Sequence, residues 1–526
     1  MRGFGSQRML WILVSVLLIP GASTGSLPNP DLVCPPDTIE TDDYTYLRTL
    51  SLDLRGTIPT LEEYAQVESA GEVEESLIDD WLHGEEFVQQ TVRSFREIFW
   101  PNIQNFALTN FRTAFRRQGG SLLYWRSGTA ATYRNAVIPC RDVEANTDTA
   151  EIETVSDGEG GQQEGYVWVH PYWEEDPNVK IKVCEFDAQA ALVSPTGTQC
   201  GTNSGLADAG CGCGPDLRWC RYGSEHQAIN NGFALALEKR IAAVIRDGLP
   251  YTDLFEDRRM WINGPMSHYL RYQIHVPRIQ RMYPRAIPEG DIPVLPFYAK
   301  DQWVEIELPD YHAGVLTDPM FLLRFQTNRA RATRFYSGFR CQPFEAPEDG
   351  IALDADLNPD LQQRAGCEYC HGQLEPAASY WGRWGEIGAG YLNPVDFPKV
   401  RDDCELCALT GQSCSDECRR YYLINALSPE EQPHLGKLLS YVFRDAGHEK
   451  NVEYGPKLLV KTALVDQNIL PRCVATRSVE RLLGRTLGVQ DVDWIESLAV
   501  EFALSGYSYR ELVKRIVMNP VYRRVQ

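Results

Sequence analysis

The sequence predicts a mainly α-helical, multi-domain protein that carries one small, disulfide-rich β insert. Apolar residues recur at helical spacing before residue 136 and after residue 225. Between these positions, two stretches alternate apolar and polar residues, and six cysteines lie close together. The chain has 526 residues, of which 43% are hydrophobic and 23% charged. This is an ordinary globular balance, and the length suggests about three or four structural units.

The first residues have the pattern of a secretory signal peptide. Arg2 and Arg8 precede the apolar run 9–20, and the small residues GASTGS follow that run. The run is too short for a membrane span, and no later stretch approaches the roughly 18 apolar residues that a span needs. We therefore expect cleavage near Thr24 and an exported protein, periplasmic or secreted, without an integral membrane span.

The formal net charge of −21 limits the classes of partner. A surface of this charge repels phosphate backbones, so we expect no nucleic-acid partner, whereas basic proteins would be attracted. The sequence also contains no Gly-x-x-x-x-Gly-Lys phosphate loop, Gly-x-Ser-x-Gly elbow or His-Glu-x-x-His helix. These absences weaken the kinase and hydrolase interpretations.

Local capping signals place the helices before the insert. Thr60 and Glu63 form a capping box, which predicts a helix starting near Leu61. Residues 76–100 predict further amphipathic helix, which Pro101 should end because proline lacks an amide hydrogen. The predicted buried positions of this stretch are Leu77, Trp81, Phe87, Val92 and Phe95.

The β insert is predicted from the stretches 164–173 (EGYVWVHPYW) and 179–186 (VKIKVCEF), which read as short strands. Its cysteines are Cys140, Cys184, Cys200, Cys211, Cys213 and Cys220. In an exported chain the expected state of these cysteines is disulfide-bonded, with metal binding by the cluster 210–220 as the alternative.

Helical spacing returns over residues 226–248. Phe233, Leu235, Ile241 and Val244 are the predicted core-facing positions. Three histidines farther along, His268, His275 and His312, are predicted to be structural residues with satisfied ring nitrogens.

The most specific motif of the chain is Cys367-Glu-Tyr-Cys370-His371. Two cysteines separated by two residues and followed at once by histidine have the attachment spacing of a c-type haem. Each thiol adds to one vinyl group of the porphyrin, and the histidine can then offer a nitrogen to the iron as the proximal ligand. Chance predicts roughly 0.007 occurrences of this pattern in such a chain. The alternative is a disulfide or loop pair that happens to precede a histidine.

A second cysteine group, Cys404, Cys407, Cys414 and Cys418, lacks a following histidine. Two local disulfides are predicted there, with zinc as the alternative. The C-terminal part is predicted to be helical. Residues 428–431 (SPEE) give one helix start, and Ser508 with Glu511 gives another capping box before a helix that 519–520 (NP) closes.

These patterns divide the chain into six segments. They are a signal peptide (1–24), an N-terminal helical domain (25–135), the Cys-rich β insert (136–225), a helical domain (226–310), a cytochrome-c-like haem-binding segment (311–395) and a C-terminal helical domain with the second cysteine group (396–526).

Four stretches together resemble a known family. They are LRTLSLDLRGTIPTLEEY (47–64), HAGVLTDPMFLLRF (312–325), GCEYCHGQLEPAASYWGRWGEIG (366–388) and the C-terminal region 473–523. They are similar to motifs of exported, cytochrome-c-like multi-domain proteins abundant in planctomycetes and myxobacteria. The resemblance implies a mainly helical protein in which Cys367 and Cys370 hold one covalent haem c and His371 ligates iron. Glu375-Pro376 stands where the family has Asp-Pro, and Ala378 where it has glycine, so packing after the histidine is expected to differ.

The leading hypothesis is an exported monohaem c-type cytochrome that transfers single electrons to or from a redox partner protein. Met320 is the first candidate for the distal iron ligand, followed by Met266 and His312, and Tyr380, Trp381 and Trp384 are candidates to line the haem. One alternative is a haem-containing oxidoreductase with a separate active site. The other is a disulfide-stapled binding or structural protein in which the motif is vestigial. With two cysteines on the haem, thirteen remain, so one is expected to be free or intermolecular.

Overall fold

The computed structural model describes residues 40–523, apart from 104–105, 110, 127–138, 147–150, 157–159, 161, 277–280, 346–357 and 466–467. The predicted signal peptide and Cys34 lie outside the described residues. The fold is mainly α, as predicted, with about 48% of the described residues in helices. No helix among the described residues is long and apolar enough to cross a membrane.

Seventeen α-helices are present in this part of the chain. They are α1 (Asp43–Arg55), α2 (Leu61–Ala70), α3 (Glu75–His83), α4 (Glu85–Phe99), α5 (Glu185–Ala188), α6 (Glu225–Arg246), α7 (Asp253–Glu256), α8 (Gly264–His268), α9 (Pro319–Arg324), α10 (Asn328–Phe339), α11 (Glu368–Ser379), α12 (Asp402–Thr410), α13 (Asp416–Tyr421), α14 (Ala446–Leu459), α15 (Ile469–Leu483), α16 (Val492–Leu504) and α17 (Tyr509–Val517).

Local sequence signals set the ends of the N-terminal helices. The predicted capping box is present: the Thr60 hydroxyl accepts from the Glu63 amide, and the Glu63 carboxylate accepts from the Thr60 amide. The single stretch predicted over 76–100 is two helices, α3 and α4, because Gly84 takes an extended conformation between them. Helix α4 ends at Phe99, directly before Trp100-Pro101, as predicted. All five predicted core positions of this stretch are buried.

The β insert contains a four-stranded sheet. The eight strands of the described residues are β1 (Phe115–Arg117), β2 (Tyr124–Arg126), β3 (Thr154–Ser156), β4 (Gln162–Glu164), β5 (Tyr166–Val169), β6 (Ile181–Cys184), β7 (Arg259–Ile262) and β8 (Val304–Glu307). The spatial order of the four-stranded sheet is β1-β2-β6-β5. Strands β5 and β6 fall in the two predicted stretches, whereas β4 lies almost entirely before the first of them. Strands β1 and β2 precede residue 136, so the sheet starts earlier than the predicted insert.

Disulfides staple the insert. Cys140 is bonded to Cys184, Cys200 to Cys211, and Cys213 to Cys220. The disulfide prediction is therefore confirmed here, and the metal alternative for the cluster 210–220 is wrong because all its thiols are paired.

One hydrophobic cluster joins the helical segments that the sequence predicts as separate units. It runs from Tyr46 in α1 to Tyr522 beyond α17 and includes residues of α6, α9 and α11. Helix α6 packs on α4 and strand β7. Of its predicted core positions, Leu235 is wrong, since it is 47% exposed. The other three predicted positions, Phe233, Ile241 and Val244, are buried.

In the C-terminal part, the helix start predicted at residues 428–431 is wrong. No α-helix begins at Ser428, and residues 428–445 form turns with two short 3₁₀ helices, Gln432–His434 and Leu439–Tyr441. A second proline, Pro433, follows Pro429 within one turn and removes the amide that a growing helix needs. The later helix start is confirmed, because the Ser508 side chain caps α17, which ends before Pro520. The predicted capping box is only half formed, since the Ser508 amide donates to Ser505 Oγ and not to Glu511.

The second cysteine group forms two local disulfides, as predicted. Cys404 is bonded to Cys418 and Cys407 to Cys414, which ties α12 to α13. Although Asp403, Cys404 and Cys418 lie close enough together to share an ion, both sulfurs are engaged in the disulfide. The zinc alternative is therefore wrong. A second, smaller hydrophobic cluster surrounds this disulfide.

Candidate functional site

The motif Cys367-x-x-Cys370-His371 occupies the start of α11. Cys367 is the residue before the first helical position, and Cys370 and His371 follow in the first turn. Residues three and four apart share one side of a helix, so the two thiols and the imidazole belong to a common face. The local fold thus brings together the three groups that the sequence singles out.

Both thiols of the motif are free and partly exposed. The Cys370 thiol lies 3.7 Å from the Glu345 carbonyl oxygen, to which it can donate. Six disulfides account for all the other cysteines in the described part of the chain, the last being Cys341–Cys473. Neither motif cysteine is therefore bonded to its neighbour or to any other described cysteine, as the disulfide alternative for this motif would require.

His371 is oriented by a carboxylate one turn farther along α11. Its Nδ1 lies 2.8 Å from Glu375 Oε1. An ionised carboxylate only accepts hydrogen bonds, so Nδ1 must carry the proton and donate it. The lone pair then lies on Nε2, which has no hydrogen-bond partner among the described residues. This is the tautomer that a histidine needs to ligate a metal through Nε2.

Two arginines hold Glu375 in the ionised state. The carboxylate is 5% exposed and accepts from Arg329 Nε at 2.5 Å and Arg444 Nη2 at 2.8 Å. Burial alone acts to raise the pKa of Glu375, but the hydrogen bonds from Arg329, Arg444 and His371 outweigh it and lower the pKa to about 2. Glu375 is therefore an anion at neutral pH.

The elements around α11 supply these arginines. Arg329 lies in the first turn of α10, and Arg444 directly precedes α14; both helices pack against α11. Asn451 of α14 also donates to the Pro376 carbonyl, at 3.4 Å. The carboxylate–histidine pair is thus fixed by three elements that are far apart in the sequence.

These residues fit a covalent haem. Two free thiols one helical turn apart can form the two thioether bonds, and His371 presents an uncommitted Nε2 on the same face. When bound, the group supplies reversible one-electron chemistry at its iron.

No protein-family model, curated protein or solved structure matches the chain. The family resemblance of the four sequence stretches therefore stays a prediction.

The candidates for the distal ligand differ in availability. His312 is a structural histidine, as predicted, since its Nε2 lies 3.0 Å from the Ala286 carbonyl and its Nδ1 3.4 Å from the Thr317 hydroxyl. Burial lowers the pKa of His312 to about 4. The Met266 thioether is packed against Gly232 of α6. Both side chains are therefore engaged in contacts within the core.

Met320 is fully buried in α9. The ring of its neighbour Phe321 lies 6.3 Å from that of Trp381, so α9 packs close to the end of α11. A distal ligand from Met320 therefore requires this part of the core to border the haem, and the assignment stays a prediction.

The three candidate aromatic residues are packed to different extents. Trp381 is completely buried and donates through Nε1 to the Leu316 carbonyl at 2.9 Å. Trp384 is also buried, in the main cluster, whereas Tyr380 is partly exposed. Trp381 and Trp384 thus serve the core of the protein, which is the ordinary role for a buried aromatic side chain.

Glu375 is the functional residue that sequence reasoning missed. The sequence presented it as a departure from the family pattern, whereas the structure places it as the partner of His371. Its signal was the i,i+4 spacing from the histidine on a helix, which brings the two side chains together. Nothing local to the motif points to Arg329 or Arg444, because their approach depends on the tertiary fold.

Proposed function

We propose that this protein is an exported monohaem c-type cytochrome that transfers single electrons. Cys367 and Cys370 hold haem c covalently, and His371 ligates its iron. The observation that carries the proposal is the pair of free thiols beside a histidine whose Nδ1 is fixed by an ionised carboxylate. The protein works in the periplasm or outside the cell, where its disulfides are stable.

The state of the cysteines supports thioether attachment. Twelve described cysteines form disulfides, and the two that do not are those with the haem spacing. Two thiols this close would be expected to oxidise in an exported protein unless another chemistry occupied them. Thioether bonds to a porphyrin are that chemistry for this spacing.

Glu375 tunes the histidine in the proposed cytochrome. By accepting the Nδ1 proton it fixes the orientation of the ring and raises the basicity of Nε2. Its negative charge favours the more positive, oxidised iron. The partner is a redox protein, and a basic docking surface would suit a chain with a net charge of −21.

Haem staining after denaturing electrophoresis tests the attachment directly. The protein is made in a host competent for c-type maturation, and the wild type is expected to give a stained band. A Cys367→Ala/Cys370→Ala variant should lose the stain completely, because no thiol remains to form a thioether. The matched control, Cys404→Ala/Cys418→Ala, removes a disulfide-bonded cysteine pair outside the motif and should keep the stain. A folded, unstained wild type would contradict the proposal and favour the disulfide-stapled binding protein.

A haem-containing oxidoreductase is the second candidate, favoured by a cavity of about 620 Å³ beside Glu375. The two functions differ in the sixth coordination position of the iron. A carrier with a saturated iron should show no change in its reduced absorption spectrum under carbon monoxide. A spectral shift would instead reveal an open position and favour the oxidoreductase.

A further inference from the structure

The cavity beside Glu375 lies where the two hydrophobic clusters of the described chain meet. Ala378 and Trp384 belong to the main cluster, and Leu392 and Leu438 to the cluster around the Cys404–Cys418 disulfide. Its volume of about 620 Å³ is within the range of sites for small organic molecules, roughly 300–1,000 Å³.

One side of the cavity is cationic and carries unused donors. The charged residues that line the cavity are Arg329, Arg420, Arg444, Glu375 and Glu386, so guanidinium groups outnumber carboxylates three to two, and Ser440 adds a hydroxyl. Arg444 Nε and the Ser440 hydroxyl are both buried and have no hydrogen-bond partner among the described residues. A buried donor without a partner costs free energy that a ligand oxygen can recover. A carboxylate has the charge and the acceptors that these donors require.

The other side of the cavity is apolar. Trp384, Leu392 and Leu438 are buried in its wall. Ile387 and Leu439 also line it and are 50% and 49% exposed, which places apolar surface near the opening. An apolar wall facing a cationic wall favours a ligand that has a hydrophobic body and one acidic group.

We propose that this cavity binds a small organic carboxylate with an apolar ring or chain. The carboxylate contacts Arg444 and Ser440, and the apolar body lies between Leu438, Leu439 and Ile387. This binding needs only the chain itself and stands independently of haem.

Where the proposed haem is present, the two sites are coupled through Arg444. Arg444 holds Glu375, and Glu375 holds His371. A bound carboxylate competes for the guanidinium and adds negative charge, and both effects strengthen the pull of Glu375 on the Nδ1 proton. Occupancy therefore shifts the midpoint potential of the haem to more negative values, and by linkage the oxidised protein binds the ligand more tightly. This coupling rests on the proposed function.

Calorimetric titration with 2-naphthoate tests the binding. The wild type and the haem-free Cys367→Ala/Cys370→Ala variant are titrated alike, so a failure of haem attachment does not hide the site. We expect both proteins to bind 2-naphthoate at least about tenfold more tightly than its neutral analogue 2-naphthamide or inorganic phosphate. Equal affinity for the naphthoate and the amide, or no heat from either, would overturn the proposed site.

Two leucine-to-glutamate variants, one at the opening of the cavity and one away from it, test where the ligand binds. Leu439→Glu places a carboxylate beside the cavity at an exposed position and should weaken naphthoate binding at least about tenfold. Leu427→Glu makes the same change at a leucine that is 85% exposed and does not line the cavity, and it should bind like the wild type. Equal affinity of the two variants would show that the ligand binds elsewhere. In the haem-loaded protein, binding with no shift of the midpoint potential would overturn the coupling.

Discussion

Replacing Glu375 with glutamine is expected to lower the stability of the protein and to raise its haem midpoint potential. Glutamine keeps the size of the side chain but loses the charge that pairs with Arg329 and Arg444. Arg444 is 12% exposed, so it would be left as a buried, uncompensated cation. The pKa of about 2 against an ordinary 4.5 corresponds to about 3 kcal/mol of stability at neutral pH.

The pH dependence of this contribution has a defined direction. The pKa of Glu375 is lower in the folded protein than in the unfolded chain, so the folded state binds fewer protons. Its contribution is complete above about pH 4.5 and is lost as the pH falls toward 2. Denaturant unfolding between pH 7 and pH 3 should therefore show a weaker pH dependence in Glu375→Gln than in the wild type.

A neighbouring carboxylate provides the control. Glu386 lines the same cavity, is exposed, and accepts from the Asn328 amide without contacting His371. Glu386→Gln should leave both the unfolding free energy at neutral pH and the midpoint potential close to wild type. A Glu375→Gln protein with an unchanged potential would show that Glu375 is a structural residue and does not tune the histidine.

Removing the Cys341–Cys473 disulfide is expected to cost about 5 kcal/mol, more than removing any local one. This bond joins the end of α10 to α15 across a sequence separation of 132, so it restricts the unfolded chain strongly. Cys407–Cys414 spans a separation of only 7, for which the same chain-entropy argument gives about 2 kcal/mol.

Denaturant unfolding of the two double alanine variants measures this difference. Cys407→Ala/Cys414→Ala is the matched control, because it also removes one disulfide, but one that closes only a short loop. Equal losses of stability would mean that the effect of Cys341–Cys473 comes from native-state packing and not from the unfolded chain.

Sequence signals predicted features whose cause is local. The capping box at Thr60, the stop at Pro101 and the cap at Ser508 each depend on residues within one helical turn, and each is present. The prediction at Ser428 failed within the same range, because Pro433 acts one turn later. The proximity of Cys367, Cys370 and His371 could also be predicted, because the three residues lie within five positions of the chain.

Features that depend on distant parts of the chain could not be predicted. Arg329 precedes α11 in the sequence and Arg444 follows it, and both contact Glu375. The spacing of residues along the chain does not predict these contacts. The cavity beside them is bounded by two hydrophobic clusters, one formed within residues 392–452 and the other by residues before and after that segment. The shared core had no sequence signal either, because each amphipathic helix shows only that it needs a partner and not which one.

The closure of the described chain on itself affects how it can fold after synthesis. The Tyr46 hydroxyl donates to the Val517 carbonyl at 2.8 Å, and the Thr41 amide to the Arg523 carbonyl at 2.8 Å. During synthesis α1 can pack on α2, α3 and α4 early. Its bond to Val517 forms only after another 471 residues have been added. We expect a chain truncated before α17 to expose the apolar surfaces of α3, α15 and α16 that α17 covers, and therefore to aggregate.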